Sequence, residues 1–264
     1  MTARYTAIAV SLVGIVAIVL LYFGNFSFQK KDAGDTQAGV QGLSFDDFER
    51  LQLKNLSSLS LDTFQNLRSS QDYERLASFW GGHDESLKGY YIFKQAEKTK
   101  HYEDYKMAGQ IFFSALSEPA DTIIRNNLIT FAVRSFEKAL ALHSDEDTKL
   151  QLATVYVEAT PEPMKGIALL RQITDSVPNH IPANMLLGRF AIMSGQFDKA
   201  EKRFNTILSQ NPGNAEALYF MAQTQEGLGN NENAIELLEL CKKIVNNKDF
   251  SVEIDEYIKG LKNK

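Results

Sequence analysis

What this chain has little of narrows it first. Its 264 residues include one cysteine, Cys241, which excludes a disulfide framework and any zinc site built on cysteine. Six prolines and 16 glycines are too few for a collagen-like, loop-dominated or disordered chain. Basic residues are not in excess. The 28 Lys and Arg stand against 33 Asp and Glu, a net charge of −5, which excludes a strongly basic nucleic-acid binder. Sustained period-2 alternation and Asn-Gly hairpin turns are missing too, so strands have no signal.

Signs of chemistry are equally scarce. The four histidines, His83, His101, His143 and His180, are scattered, and none has a partner at metal-ligand spacing. They read as solvated turn residues. No G-x-S-x-G, phosphate loop or dinucleotide fingerprint occurs. Ser144-Asp-Glu-Asp147 lacks the sharp-turn glycine and distal glutamate of a calcium loop, and reads as a helix stop and N-cap. Asp46, Asp47 and Glu49 read as first-turn acids suited to a helix dipole. No cofactor, metal or catalytic constellation is expected, and therefore no enzyme.

What is present begins at the N-terminus. Tyr5–Gln29 carries no charged residue, and Ala7–Phe23 is almost continuously apolar. About 20 such residues, rising roughly 1.5 Å each, cross a hydrocarbon core. Residues 1–29 are thus expected to hold a transmembrane anchor, with residues 6–24 in the membrane. A cleaved signal peptide competes, but its apolar run would be shorter and a small-x-small site should follow. The flanks, Arg4 against Lys30 and Lys31, nearly tie for orientation. A single N-terminal span before a large domain favours the extracytoplasmic (periplasmic) side for the rest.

Residues 30–43 are Gly-containing and poor in apolar residues, and read as a flexible tether. Residues 44–69 carry apolar residues at helical spacing in two segments, 46–57 and 61–69, with Ser44 and Asp62 as expected caps. Everything beyond reads helical, and it repeats. Pro178 and Pro212 lie 34 residues apart, as do Gly195 and Gly229, Ala200 and Ala234, and Phe204 and Leu238.

A 34-residue period of paired helices resembles the tetratricopeptide repeat family. Residues 181–214 supply Leu187, Gly188, Ala200, Phe204 and Pro212 of its pattern, and depart from it at Asn184 and Ala191. Units 215–248 and 147–180 follow by phase. Unit 102–146 is 11 residues too long, which predicts lengthening of both its helices around Glu118. Unit 70–101 is a degenerate first copy, with Trp80 in the core. Residues 249–264 form a cap, with Ile254, Tyr257, Ile258 and Leu261 facing inward. The resemblance implies an all-α, right-handed α-solenoid of about five helix pairs with a C-terminal capping helix, preceded by the transmembrane helix.

The same resemblance implies a concave groove lined by the first helix of each unit. Carried over by phase, its residues are Lys106, Gln110 and Phe113 in the second unit and Gln151, Val155 and Glu158 in the third. Met185, Arg189, Ile192 and Met193 follow in the fourth, and Tyr219, Gln223 and Glu226 in the fifth. Several are apolar where a solvated face would be polar, so a protein or peptide is the expected partner. The expected function is a membrane-tethered scaffold for protein–protein interaction in assembly of a cell-envelope complex. The alternative is a passive spacer or homo-oligomer whose groove is filled by its own chain.

Three variants express this phase. Gly188→Leu should overpack a helix contact, whereas Asn184→Leu should be neutral or stabilising. Arg189→Glu combined with Tyr219→Ala should abolish partner binding and leave thermal stability nearly unchanged.

Overall fold

Apolar residues recurring every three or four positions fold here into helices that bury one stripe against their neighbours. The computed structural model describes residues 45–117 and 122–263, so the expected anchor, the tether and the Ser44 cap lie outside the described residues. Among the described residues there are thirteen helices and no strand. None of these helices is long and apolar enough to cross a membrane.

Two short helices, α1 (Phe45–Leu53) and α2 (Ser58–Ser69), come first. Five antiparallel pairs follow: α3 (Tyr73–Trp80) with α4 (Glu85–Thr99), and α5 (Tyr102–Ala115) with α6 (Thr122–Leu142). Then come α7 (Glu146–Ala159) with α8 (Pro163–Ser176), α9 (Ile181–Met193) with α10 (Phe197–Gln210), and α11 (Ala215–Gly227) with α12 (Asn231–Val245). The last helix, α13 (Lys248–Lys262), packs on α12 and buries Phe250, Ile254, Ile258 and Leu261. Each pair touches the next, and the first helices also meet in sequence, α5 on α7, α7 on α9 and α9 on α11. The result is a stack of helix hairpins whose buried side chains form successive clusters, one running from α1 to α7 and another from α7 to α9.

Short polar side chains start these helices. Asp72, Asp84, Asp145, Asn214 and Asn247 each accept the N–H three residues on, satisfying a donor the helix leaves open. Ser57, rather than Asp62, caps α2, which starts earlier than its apolar spacing indicates. His180 is a cap as well: its Nδ1 accepts the Ala183 N–H at 3.1 Å, and Nε2 lies 3.3 Å from Glu146. It is therefore not a solvated turn histidine. Gly195 and Gly229 end the first helices of their pairs at φ +69° and +82°, a region that costs other residues strain.

Within a pair, one glycine sets the approach. A Cβ on Gly188 would lie 2.6 Å from Cζ of Phe204, and a Cβ on Gly109 would lie 2.7 Å from Cδ1 of Phe136. Both phenylalanines are fully buried. The same glycine–phenylalanine contact thus recurs in two units despite the extra length of one. That length is not shared between helices, as the sequence leads one to expect. First helix α5 has 14 residues, close to the 13 of α9, whereas α6 has 21 against the 14 of α10. Superimposing Phe136 on Phe204 assigns the surplus to Thr122–Leu128, the first two turns of α6.

Those turns carry α1. Phe45 and Phe48 share a small cavity with Ile124 and Leu128. Phe45 also stacks on Tyr90 at 4.8 Å and meets Phe131 edge-on at 4.6 Å. A second contact fastens this helix: Glu49, fully buried, accepts the Tyr91 hydroxyl at 2.5 Å and pairs with the Arg68 guanidinium at 2.8 Å. Burial raises the Glu49 carboxyl above its ordinary range, while Tyr91 and Arg68 pull it back down. Glu49 is a structural acid at the end of the stack, not a solvated first-turn charge.

Candidate functional site

The first helices α5, α7, α9 and α11 lie side by side, and of the residues the sequence assigns to the groove Lys106, Arg189, Tyr219 and Glu226 bridge from one helix to another. Lys106 on α5 reaches both Asp145 and Asp147 at 3.0 Å, across the start of α7. Gln151 donates to Asp147 at 2.9 Å. Burial pulls the Lys106 ammonium down, but hydrogen bonds to Asp147 and Asp145 outweigh it and hold the amine above its usual range. Asp145 is held well below the carboxylate range, first by the Thr148 hydroxyl and then by the Thr148 N–H, Lys106 and Tyr102.

One seam further, Arg189 on α9 pairs with Glu158 on α7 at 3.1 Å. Its guanidinium also lies 5.4 Å from the ring centroid of Phe220 on α11, within cation–π range. Glu216, whose carboxyl is raised by burial, feels the same guanidinium. Tyr219 meets Tyr257 of α13 edge-on at 6.3 Å, and the Tyr257 hydroxyl donates to Glu226. These contacts tie α5, α7, α9, α11 and α13 in succession.

The remaining groove residues divide by exposure. Val155 and Met185 are buried, at 0% and 6%, and belong to the core instead of the surface. At these two positions the helix turns the side chain inward instead of into a groove. Gln110, Phe113, Ile192 and Gln223 are half-buried, and Phe113 packs against the core of the first two pairs. Met193, at 53%, stands clear in solvent one turn beyond Arg189. The expectation that Arg189→Glu with Tyr219→Ala leaves stability untouched does not survive these contacts, because both side chains bridge helices.

Asn184, read from sequence as a poor substitute for an aromatic, is the structural residue sequence reasoning missed. It is fully buried. Its Nδ2 donates to the carbonyls of Pro178 and His180 at 2.9 and 3.0 Å, and its Oδ1 accepts from Arg203 Nη1 at 3.0 Å. The amide satisfies the corner before α9 and fixes α10 at once, so Asn184→Leu removes three hydrogen bonds and is not neutral. A polar residue at a core position, between a Pro-containing corner and an arginine, was the available signal.

Cys241 is buried, donates to the Ala215 carbonyl at 3.2 Å, and has its thiol pushed up by burial to about 12. It is packing, not a nucleophile. Among the described residues no cluster of His, Cys, Asp and Glu could hold a metal ion.

Comparison with known families and structures agrees with this architecture. One matching family model is described as the second ARM domain of tetratricopeptide repeat protein 21 and covers residues 132–227. Another, described as tetratricopeptide repeat, covers residues 215–246. No curated protein matches the chain. Among solved structures, one described as "YrrB: a TPR protein with an unusual peptide-binding site" is 21% identical, with a TM-score of 0.51 over 81% of this chain and 98% of that one. A crystal structure of MamA is 15% identical, with a TM-score of 0.51 over 72% of this chain and 95% of that one. At such identities these structures speak to the fold, a tetratricopeptide-like stack of helix pairs, and to nothing finer.

Proposed function

We propose that the chain is a protein-interaction scaffold, tethered to a membrane through residues 6–24 and presenting its repeats on the extracytoplasmic side, where it serves assembly of a cell-envelope complex. The observation that supports it best is the first-helix face, whose side chains are held in place by helix-to-helix ion pairs, with Met193 left in solvent at its edge. A face ordered in advance loses less conformational entropy on binding, and an exposed methionine suits an adaptable apolar contact. The YrrB structure is described as having a peptide-binding site, which makes a peptide or protein the first ligand class to test here. Repeat proteins of this kind weigh against catalysis, and no catalytic role is assigned.

A second reading is favoured by a specific observation. Lys106, Arg189, Tyr219 and Glu226 already satisfy one another's helices, as they would in a spacer that binds nothing on this face. Met193→Asp separates the two readings, because an exposed substitution leaves the fold intact. In a scaffold it removes proteins that co-purify with the full-length chain in mild detergent. In a spacer the co-purifying set is unchanged. The tether is tested separately: a mature protein that keeps its N-terminus by mass spectrometry and resists carbonate extraction supports it. A new N-terminus near Ser27 or Gln29 refutes it.

A further inference from the structure

On the other side of the same repeats lies a cleft of about 300 Å³ between the second helices α8 and α10, floored by α9. Its walls are of two kinds. Met164, Leu187 and Phe190 give it an apolar floor, and Met164 is 61% exposed. Around that floor stand four cations, Arg171 from α8 and Lys199, Lys202 and Arg203 from α10. Lys199 bonds to the Gln196 amide oxygen at 2.5 Å, and Arg203 to the Asn184 amide oxygen at 3.0 Å. Both partners are neutral. Among the described residues none of the four cations has a carboxylate within ion-pair distance. Burial, and then repulsion from Arg171, lowers Arg203 from its ordinary value, with Asp175 on α8 opposing. Like charges are thus gathered at one place on a chain whose net charge is −5.

We propose that this cleft docks an acidic segment of a partner protein, with an apolar side chain seated on the Met164–Phe190 floor and its carboxylates among Arg171, Lys199, Lys202 and Arg203. Charge complementarity selects the sign of the ligand, because a carboxylate relieves the Arg171–Arg203 repulsion. The floor selects its class. A phosphodiester backbone or a free anion has nothing to place against three apolar side chains, whereas a peptide alternating acidic and apolar residues uses both parts. A second copy of this acidic chain is the other conceivable occupant, and the experiment separates it. The cations of the cleft all stand on second helices, and none of Lys106, Arg189 and Met193 lines it.

The test uses the full-length chain in detergent and a fluorescein-labelled peptide of repeating Glu-Glu-Phe, read by anisotropy at low salt. Two control peptides carry Gln for Glu, or Ala for Phe. The expected result is saturable binding of the Glu-Glu-Phe peptide that weakens as salt is raised, with at least about tenfold weaker binding of each control. The double variant Lys199→Glu/Lys202→Glu and the single variant Met164→Asp should each weaken binding by at least about tenfold, whereas Met193→Asp should leave it unchanged. The lysines and Met164 are exposed, so folding is checked by an unaltered thermal melt. Absence of binding overturns the proposal, as does equal binding of either control peptide or indifference to the cleft variants. Self-association that is abolished by Lys199→Glu/Lys202→Glu also overturns it, in favour of a second copy.

Discussion

The two faces of the repeats treat charge differently. On the first-helix face Lys106 has Asp145 and Asp147, and Arg189 has Glu158, so each of these two cations is neutralised across a seam between first helices. On the second-helix face Arg171, Lys199, Lys202 and Arg203 crowd one cleft with only neutral hydrogen-bond partners among the described residues. Charges paired between helices hold successive repeats in register. Charges left without counterions repel one another; Arg203 still ties α10 to Asn184, but the use of the cluster as a whole lies outside the chain. The lesson is that apolar character at a groove position is a weaker guide to binding than whether its neighbours are already satisfied.

The largest test asks whether both faces depend on one internal contact. Gly188→Leu forces a side chain into Phe204 and should cost about 3 kcal/mol or more in urea denaturation, disrupting both faces together. A smaller change would mean that α9 and α10 can part locally. Next is Asn184→Leu, beneath the cleft, which orphans the Pro178 carbonyl and frees Arg203. A loss of about 2 kcal/mol is expected in the same measurement, and a neutral result would show that water replaces the amide.

Arg189→Glu sharpens the contrast directly. It sets an anion against Glu158 and Glu216 and removes the contact with Phe220, for an expected cost of about 1–2 kcal/mol. Lys199→Glu/Lys202→Glu on the opposite face should stay within about 0.5 kcal/mol. Equal costs for these two variants would erase the difference between the faces.

A pH titration offers the finest probe. Since Asp145 is depressed in the folded state, its contribution is fully present above its ordinary pKa near 3.8 and drains away as pH falls below it. Asp145→Asn keeps a good N-cap yet loses the ion pair with Lys106. Its stability should therefore fall less steeply than that of the wild type between about pH 5 and pH 2.

How much of this was readable beforehand varies with the range of the contact. The glycine–phenylalanine spacing and the turns at Gly195 and Gly229 were legible because helix sterics act within one repeat. The surplus length of the second unit was visible too, but helix periodicity continues either way, so nothing local assigned it to Thr122–Leu128. Glu49 was misread because its partners, Tyr91 and Arg68, are brought to it only by folding. The positions read as a groove do fall on first helices of successive pairs. What escaped was their occupancy, since Arg189 gives no sign in sequence that Glu158 and Phe220 converge on it.

The seating of α1 on the first turns of α6 also bears on the order of assembly. From α7 to α13 every contact described joins neighbouring or next-neighbouring helices, so those repeats can form from short-range encounters alone. Phe45 and Phe48 must instead find Ile124, Leu128 and Phe131 across four intervening helices, α2 to α5, which closes a far longer loop. Loop entropy rises by only about 0.6 kcal/mol per doubling, so the finished contact is hardly weakened, but the search for it is slow. The two ends of the molecule should then mature at different times. The C-terminal repeats zip up early, and the N-terminal clasp closes last, over a stack that is already built.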